Sequence, residues 1–121
     1  MVDVHLMSIA LMADGIRREM FPRLHRRYRV RWHDDDRTPP PDPETRTIFV
    51  SRAAFEDMDE FKSPRAALVS AIIEQFAGVY TRGAPRYSEP HRRVMTRCGL
   101  GPGGGVLTHG RAYQWLQKHR R

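Results

Sequence analysis

The chain has 121 residues, a length that fits one domain with a modest hydrophobic core. Hydrophobic residues make up 40% of it and charged residues 29%, a balance that excludes a disordered chain of low hydrophobicity. Its formal net charge of +7 favours polyanions or acidic protein surfaces as partners. The single cysteine excludes an internal disulfide and a four-cysteine zinc site. We therefore expect residues 1–121 to form a single domain.

The charge is unevenly distributed along the chain. Residues 17–33 carry a net charge of +6, residues 34–60 carry −6 and residues 82–121 carry +8. Nineteen of the 21 cationic residues are arginine, whose planar guanidinium group binds phosphate or carboxylate through two parallel hydrogen bonds. A GC-rich coding sequence would produce the same preference for arginine over lysine. The segregation of charge predicts distinct acidic and basic surfaces.

The N-terminal third is predicted to contain a helix followed by a strand. Apolar residues recur at helical spacing over residues 3–20, with Asp3 as the candidate N-cap, and Pro22 ends the helix. Apolar residues also alternate over residues 2–6, which leaves a short initial strand as an alternative. Over residues 28–32, aromatic and aliphatic side chains alternate with arginines, and this period of two predicts a half-buried strand with an arginine face.

An acidic, proline-rich segment at residues 33–45 separates this strand from a second predicted strand at residues 46–50. Its four prolines exclude a regular hydrogen-bonded ladder, so a flexible solvated loop is expected. The simplest pairing of the strands is an antiparallel hairpin with this long acidic segment at its tip. His33 and the three aspartates after it offer ligands for a divalent cation, but consecutive acids cannot all reach one ion. No metal site is therefore predicted.

The C-terminal half is predicted to be helical. A short helix is expected over residues 51–58, and the three- and four-residue spacing of apolar residues predicts a central buried helix over residues 64–80. A third helix is expected over residues 88–98, with Gly99 as its left-handed C-cap residue, and a final helix over residues 108–117 with a threonine N-cap. These elements define an α+β fold: an N-terminal helix, a two-stranded hairpin with a long acidic proline-rich tip, and a helical C-terminal half.

Residues 88–121 form a predicted basic helix–loop–helix unit with a net charge of +6. One interpretation is a helix-turn-helix reader, although the nine-residue connector at residues 99–107 exceeds the usual three or four residues. Another is a phosphate-binding loop at Gly103, Gly104 and Gly105, whose backbone N–H groups would lead into a helix N-terminus. The glycine spacing matches neither the P-loop nor the dinucleotide-binding fingerprint, which disfavours a nucleotide-hydrolysing enzyme. A surface linker without a binding role is the third interpretation.

The functional prediction is a small non-enzymatic nucleic-acid-binding protein whose arginine-rich helices contact phosphates. Such contacts give strong salt dependence and little sequence discrimination. No catalytic residue, metal site or cofactor is predicted, and Cys98 is expected to be a small buried core residue rather than a nucleophile. The predicted nucleic-acid contacts are Arg92, Arg93, Arg97, Arg111, Gln114, Lys118, Arg120 and Arg121.

The alternative is a protein–protein interaction adaptor or inhibitor, of the compact kind that phages and mobile elements encode. Its arginines would pair with carboxylates on an acidic protein surface, and the acidic middle of the chain would complement a basic one. No stretch of the chain reaches the roughly 18 apolar residues of a transmembrane helix, so no membrane partner is expected. Because the single cysteine has no partner for a disulfide, we expect a reducing, cytoplasmic compartment.

Overall fold

The computed structural model describes residues 4–34, 37–52 and 64–119 of the chain. Within them, four helices and a two-stranded sheet confirm the predicted α+β fold, with a helix at the N-terminal end and a helical C-terminal half. The predicted helix over residues 51–58 falls almost entirely outside the described residues. The elements are α1 (Val4–Met20), β1 (Arg29–His33), β2 (Thr47–Ser51), α2 (Pro64–Tyr80), α3 (Glu89–Arg97) and α4 (Arg111–Lys118).

Helix α2 forms the centre of the core and contacts α1, β2, α3 and α4. Its fully buried residues recur at three- and four-residue spacing, and partly buried apolar residues extend around the rest of the helix, so it packs against partners on several sides. Val69, Ile72, Ile73 and Phe76 are fully buried. The predicted boundaries of this helix are confirmed. None of the helices among the described residues is both long and apolar enough to cross a lipid bilayer.

The sheet has an inner apolar face and an outer arginine face, as the alternation in β1 predicts. Val30 and its cross-strand partner Ile48 are buried, and the strands pack on α1 and α2. Arg31 is exposed on the opposite face and lies across from Phe49. The predicted half-buried strand is therefore confirmed.

The predicted antiparallel hairpin is wrong, because β1 and β2 run parallel. Thirteen residues separate the two strands, which is enough for a parallel connection. The connecting segment turns back before β2 begins, and Asp42 forms an antiparallel bridge with Thr47 through two N–H···O hydrogen bonds of 2.9 Å. The part of the chain that runs antiparallel to β2 thus belongs to the proline-rich segment of residues 33–45, which we call the proline segment. Strand β2 lies between this segment and β1.

The side chain of Gln75 replaces a backbone ladder between β2 and the proline segment. Pro39, Pro40 and Pro41 have no backbone N–H and cannot donate to β2. The buried Gln75 amide instead accepts the N–H of Phe49 at 3.0 Å and donates to the carbonyl of Pro39 at 3.1 Å. This double contact anchors the proline segment to α2.

The connector between α3 and α4, residues 98–110, is a compact loop. Leu100 forms a bridge with Val106, and the N–H of Gly101 donates to the carbonyl of Gly105 at 2.7 Å. A helix-turn-helix joins its helices with a turn of three or four residues. The thirteen residues of this connector are far too many for that motif, so α3 and α4 do not form it.

The ends of this connector determine where α4 begins. Gly99 has the predicted left-handed conformation, with φ of +88°. The predicted N-cap Thr108 is wrong, because α4 begins at Arg111 with Gly110 as its N-cap. His109 has φ of +69°, which is not a helical conformation, so the helix starts only after it.

Candidate nucleic-acid interface

Three arginines from both basic regions of the sequence line one groove, where the C-terminal ends of α1, α2 and α3 meet the start of α4. Arg23 follows α1, Arg97 ends α3 and Arg111 begins α4. The groove has a volume of about 220 Å³, and we call it the basic groove. Its other lining residues are mostly apolar: Met20, Phe21, Pro22, Tyr80, Val94 and Cys98.

Aromatic packing places Arg23 at the edge of the basic groove. Phe21 is buried directly after α1, with its ring centroid 5.5 Å from that of Phe76 and 6.1 Å from that of Tyr80. The chain then turns, and the N–H of Leu24 donates to the carbonyl of Phe21 at 2.9 Å. Arg23 lies within this turn and is exposed. The aromatic anchor therefore directs a cation from the first basic region toward the groove.

Two glycines bring the other two arginines of the basic groove together. The N–H of Ala112 donates to the carbonyl of Cys98 at 2.9 Å, which joins the start of α4 to the end of α3. A Cβ atom on Gly99 would lie 2.7 Å from the backbone nitrogen of Arg111, and one on Gly110 would lie 2.8 Å from the Cα of Gly99. Only two residues without side chains allow this approach.

Arg97 is held over an aromatic ring of the same groove. Its guanidinium carbon lies 5.8 Å from the centroid of Tyr80, a distance typical of a cation–π contact. Neither Arg97 nor Arg23 or Arg111 forms an ion pair within the part of the chain that the structure describes. These guanidinium groups therefore keep positive charge that a polyanion can neutralise.

Cys98 lies in the wall of the basic groove but is almost completely buried. Burial raises the pKa of its thiol to about 11, although the nearby charges of Arg111 and Arg97 lower it in part. The group is therefore a neutral thiol near pH 7 and a poor nucleophile. The prediction of a buried core cysteine is confirmed.

A second cavity, of about 140 Å³, adjoins the basic groove between α1 and α4, and we call it the α1–α4 cavity. It shares Met20 and Arg111 with the groove. Nζ of Lys118 lies 2.7 Å from Oε1 of Glu19, and the guanidinium of Arg111 donates to the Glu19 carbonyl at 2.9 Å. The hydrogen bond from Lys118 is the main reason that the pKa of Glu19 lies below its usual value. Gln114 and Trp115 complete the lining.

The other predicted contacts on α3 lie on different sides of that helix. Arg93 pairs with Glu89 on the exposed surface and lies one turn before Arg97, on the same side of α3. Arg92 is exposed and is rotated by about 100° from Arg93. Arg120 and Arg121 fall outside the described residues. The structure thus brings Arg97 and Arg111 into the basic groove, and Gln114 and Lys118 into the neighbouring cavity.

The loop that contains Gly103, Gly104 and Gly105, which we call the glycine loop, packs against α2 and away from the start of α4. The Ser70 hydroxyl donates to the carbonyl of Gly104, and a Cβ atom on Gly104 would lie 2.7 Å from a carboxylate oxygen of Glu74. Helix α4 begins six residues after Gly105, so the loop does not present the helix N-terminus. Phosphate binding by Gly103, Gly104 and Gly105 stays a prediction, and the neighbouring carboxylate gives it no support.

A polar network around Glu74 was not predicted from the sequence. Its carboxylate accepts the hydroxyl of Tyr87 and, at 3.0 Å, a guanidinium N–H of Arg86. The backbone N–H of Tyr87 donates to Nδ1 of the buried His91 at 3.1 Å, so Nε2 carries the proton and donates to the Glu74 carbonyl at 2.9 Å. Since both ring nitrogens are used, this histidine joins α2 to the chain before α3. No local spacing signals the network, because its members lie on separate segments.

Part of the first basic region is neutralised within the N-terminal segment itself. Asp14 is buried on α1 and pairs with three arginines. Among the described acids of residues 34–60, Asp34 pairs with Arg52, and none of them pairs with an arginine of the basic groove. The three pairs of Asp14 are with Arg17 at 2.9 Å, Arg18 at 3.5 Å and Arg27 at 3.6 Å.

The described residues contain no group of three or more histidine, cysteine, aspartate or glutamate side chains that could hold a metal ion. Asp35 and Asp36, which follow His33 in the acidic segment, lie outside the described residues. Comparison with known proteins finds no match for the chain among protein-family models, curated proteins or solved structures.

Proposed function

We propose that this protein is a small non-enzymatic nucleic-acid-binding protein that contacts phosphates through the basic groove. The observation that carries the proposal is the meeting of Arg23, from the first basic region, with Arg97 and Arg111, from the C-terminal region, in one groove. Residues this far apart in sequence share a groove only through the fold, so the positive site is a product of the tertiary structure.

The chemistry of the groove fits a polyanion whose charge is repeated along a backbone. Arginine donates two parallel hydrogen bonds to a phosphate, and neutralised phosphates release their counterions. The groove offers apolar side chains and two aromatic rings, those of Phe21 and Tyr80, beside its three cations, but few groups that could read base edges. Binding should therefore depend strongly on salt and weakly on sequence.

The test is the salt dependence of binding to short oligonucleotides. Fluorescence anisotropy with a labelled duplex and a labelled single strand, from low to physiological salt, should give a steep linear fall of log K against log salt. Replacing two groove arginines in the variant Arg97→Gln/Arg111→Gln should reduce the slope for the duplex by about 2, because each lost phosphate contact contributes about 0.9. A wild-type protein that binds neither oligonucleotide at low salt would reject the proposal.

A matched control separates the groove from the general charge of the protein. The variant Arg31→Gln/Arg46→Gln loses the same two positive charges, but both residues are exposed in the sheet region outside the groove. It should keep the wild-type slope within about half a unit. Equal losses in both variants would show that the slope reports net charge and that the groove has no special role.

An acidic protein surface remains the second candidate partner, and the lack of ion pairs at the groove arginines is the observation that favours it. Within the described residues, Arg23, Arg97 and Arg111 pair with no carboxylate, so their guanidinium groups can bind the carboxylates of a protein partner through paired hydrogen bonds. A protein that co-purifies in stoichiometric amount, and is released by Arg97→Gln/Arg111→Gln, would support this candidate if the oligonucleotides do not bind.

A further inference from the structure

The α1–α4 cavity is lined mainly by hydrogen-bond donors. Arg111, Gln114 and Lys118 lie at positions i, i+3 and i+7 of α4 and so project from one side of the helix toward α1. Glu19 is the one carboxylate among the lining residues. The cavity therefore holds two formal positive charges against one negative charge, and it suits a hydrogen-bond acceptor that carries negative charge.

A buried donor in the wall of this cavity lacks an acceptor. The Trp115 side chain is only 4% exposed, yet its indole N–H has no hydrogen-bond partner within the described residues. A buried polar group without a partner is rare in folded proteins. One edge of the indole packs 3.6 Å from the position of a Cβ atom on Gly15, one helical turn before Glu19. Because Trp115 also lines the cavity, its indole resonance can report a ligand that binds beside Glu19.

The Glu19 carboxylate already behaves as an anion bound to part of this donor set. Its Oε1 lies 2.7 Å from Nζ of Lys118 and 3.9 Å from Nε2 of His119. The side chain is 37% exposed, so it can rotate into solvent without disturbing the core. The donation from Arg111 goes to the backbone carbonyl of Glu19 and is independent of the side chain position.

From these contacts we propose that the α1–α4 cavity is an anion-binding subsite for a phosphate group, with Glu19 as its intramolecular competitor. An entering phosphate displaces the carboxylate and accepts the hydrogen bond of Lys118, while the Arg111 guanidinium keeps its bond to the Glu19 carbonyl and donates a further N–H to the phosphate. The subsite rests on the proposed function in one respect only, the source of the phosphate group. If the protein binds nucleic acid in the basic groove, the phosphate comes from the backbone of that nucleic acid.

The test uses inorganic phosphate alone as the probe. The full chain, labelled with ¹⁵N, is titrated with phosphate while sodium chloride keeps the ionic strength constant. The chain has two tryptophans, and the variant Trp32→Phe assigns the indole resonance of Trp115. That resonance should shift as phosphate binds beside the indole ring, and it should not respond to chloride alone. An indole resonance of Trp115 that phosphate does not move would overturn the subsite.

Variants of the cavity test the competition. Glu19→Gln should lower the Kd for phosphate by about two- to fivefold, because an ion pair of exposed side chains no longer competes, whereas Lys118→Gln should raise it. The control Glu89→Gln removes another exposed, ion-paired carboxylate, on α3 outside the cavity, and should leave the Kd unchanged. An unchanged or higher Kd in Glu19→Gln would show that the carboxylate is not a competitor.

The outcomes also separate the subsite from the proposed function. Steep salt-dependent binding of oligonucleotides without any response of Trp115 to phosphate would leave the proposed function standing and reject the subsite. A phosphate response that tightens in Glu19→Gln, in a protein that does not bind oligonucleotides, would keep the subsite and reject the proposed function.

Discussion

Gly99 and Gly110 approach so closely that a Cβ atom on Gly110 would lie 2.8 Å from the Cα of Gly99. This contact holds the last turn of α3 against the first turn of α4 and so fixes the distance between Arg97 and Arg111. The absence of side chains at these two glycines therefore determines the geometry of the basic groove.

The variant Gly110→Ala should therefore lower both stability and polyanion affinity. Gly110 has an ordinary φ of −78°, so the cost is steric, and we expect about 1–3 kcal/mol in urea unfolding. The shift of α4 should also weaken oligonucleotide binding. Gly103→Ala is the control, because no atom lies within 4 Å of its Cβ position, and its unfolding free energy should stay within about 0.5 kcal/mol of wild type. Equal effects in the two variants would contradict the steric explanation.

Gln75 should be a costly polar residue of α2 to replace. In Gln75→Leu the N–H of Phe49 and the carbonyl of Pro39 both lose their partner, and each unsatisfied buried group costs about 1–3 kcal/mol. Urea unfolding should show the loss directly. Gln117→Leu, an exposed change of the same type on α4, should have little effect. A neutral Gln75→Leu variant would mean that the proline segment finds other partners.

The sequence predicted those features that depend on short-range patterns. The spacing of apolar residues gave the boundaries of α2, and the alternation around Val30 gave the inner and outer faces of β1. Left-handed Gly99 followed from its position after the last turn of α3. These are local effects of helix and strand geometry, so one sequence is enough to show them.

Features that depend on contacts between distant residues were missed. The parallel pairing of the strands follows from the turn of the proline segment back along β2, and the amide of Gln75 anchors this segment in place of the N–H groups that the prolines lack. The start of α4 depends on the close approach of its N-cap Gly110 to Gly99 at the other end of the connector. For the candidate site, composition indicated the basic residues, but only the fold shows that Arg23 joins the groove and that Glu19 meets Lys118.

Cys98 should react slowly with thiol reagents in the folded protein near pH 7.5. Its thiol has a pKa of about 11, against 9.0 for the ordinary group, chiefly because it is buried, and only the thiolate reacts. The reaction rate, followed with a chromogenic disulfide, should rise as the pH approaches 11. It should also rise when urea unfolds the chain. Rapid modification at neutral pH without unfolding would contradict the buried, neutral thiol.

The same pKa shift sets the sign of a stability change at high pH. Well below pH 9 the thiol is protonated in both states, so the group makes no difference to the pH dependence. Between pH 9 and pH 11 the unfolded chain loses this proton while the folded protein retains it, so the free energy of unfolding falls. Cys98→Ala should be less stable overall but should show a shallower decline across this window. Parallel declines in wild type and variant would mean that the folded thiol titrates normally.

Tyr87→Phe should destabilise the protein although it removes only one oxygen atom. The hydroxyl donates to the Glu74 carboxylate, which the Arg86 guanidinium also binds, and a hydrogen bond to a charged group contributes about 1.5–3 kcal/mol. Tyr113→Phe is the matched control, because its ring contacts His109 while its hydroxyl has no hydrogen bond within the described residues. Since the network lies against the glycine loop and away from the basic groove, Tyr87→Phe should leave the salt slope of oligonucleotide binding unchanged. A variant that keeps wild-type stability but loses oligonucleotide affinity would instead place Tyr87 in the binding site.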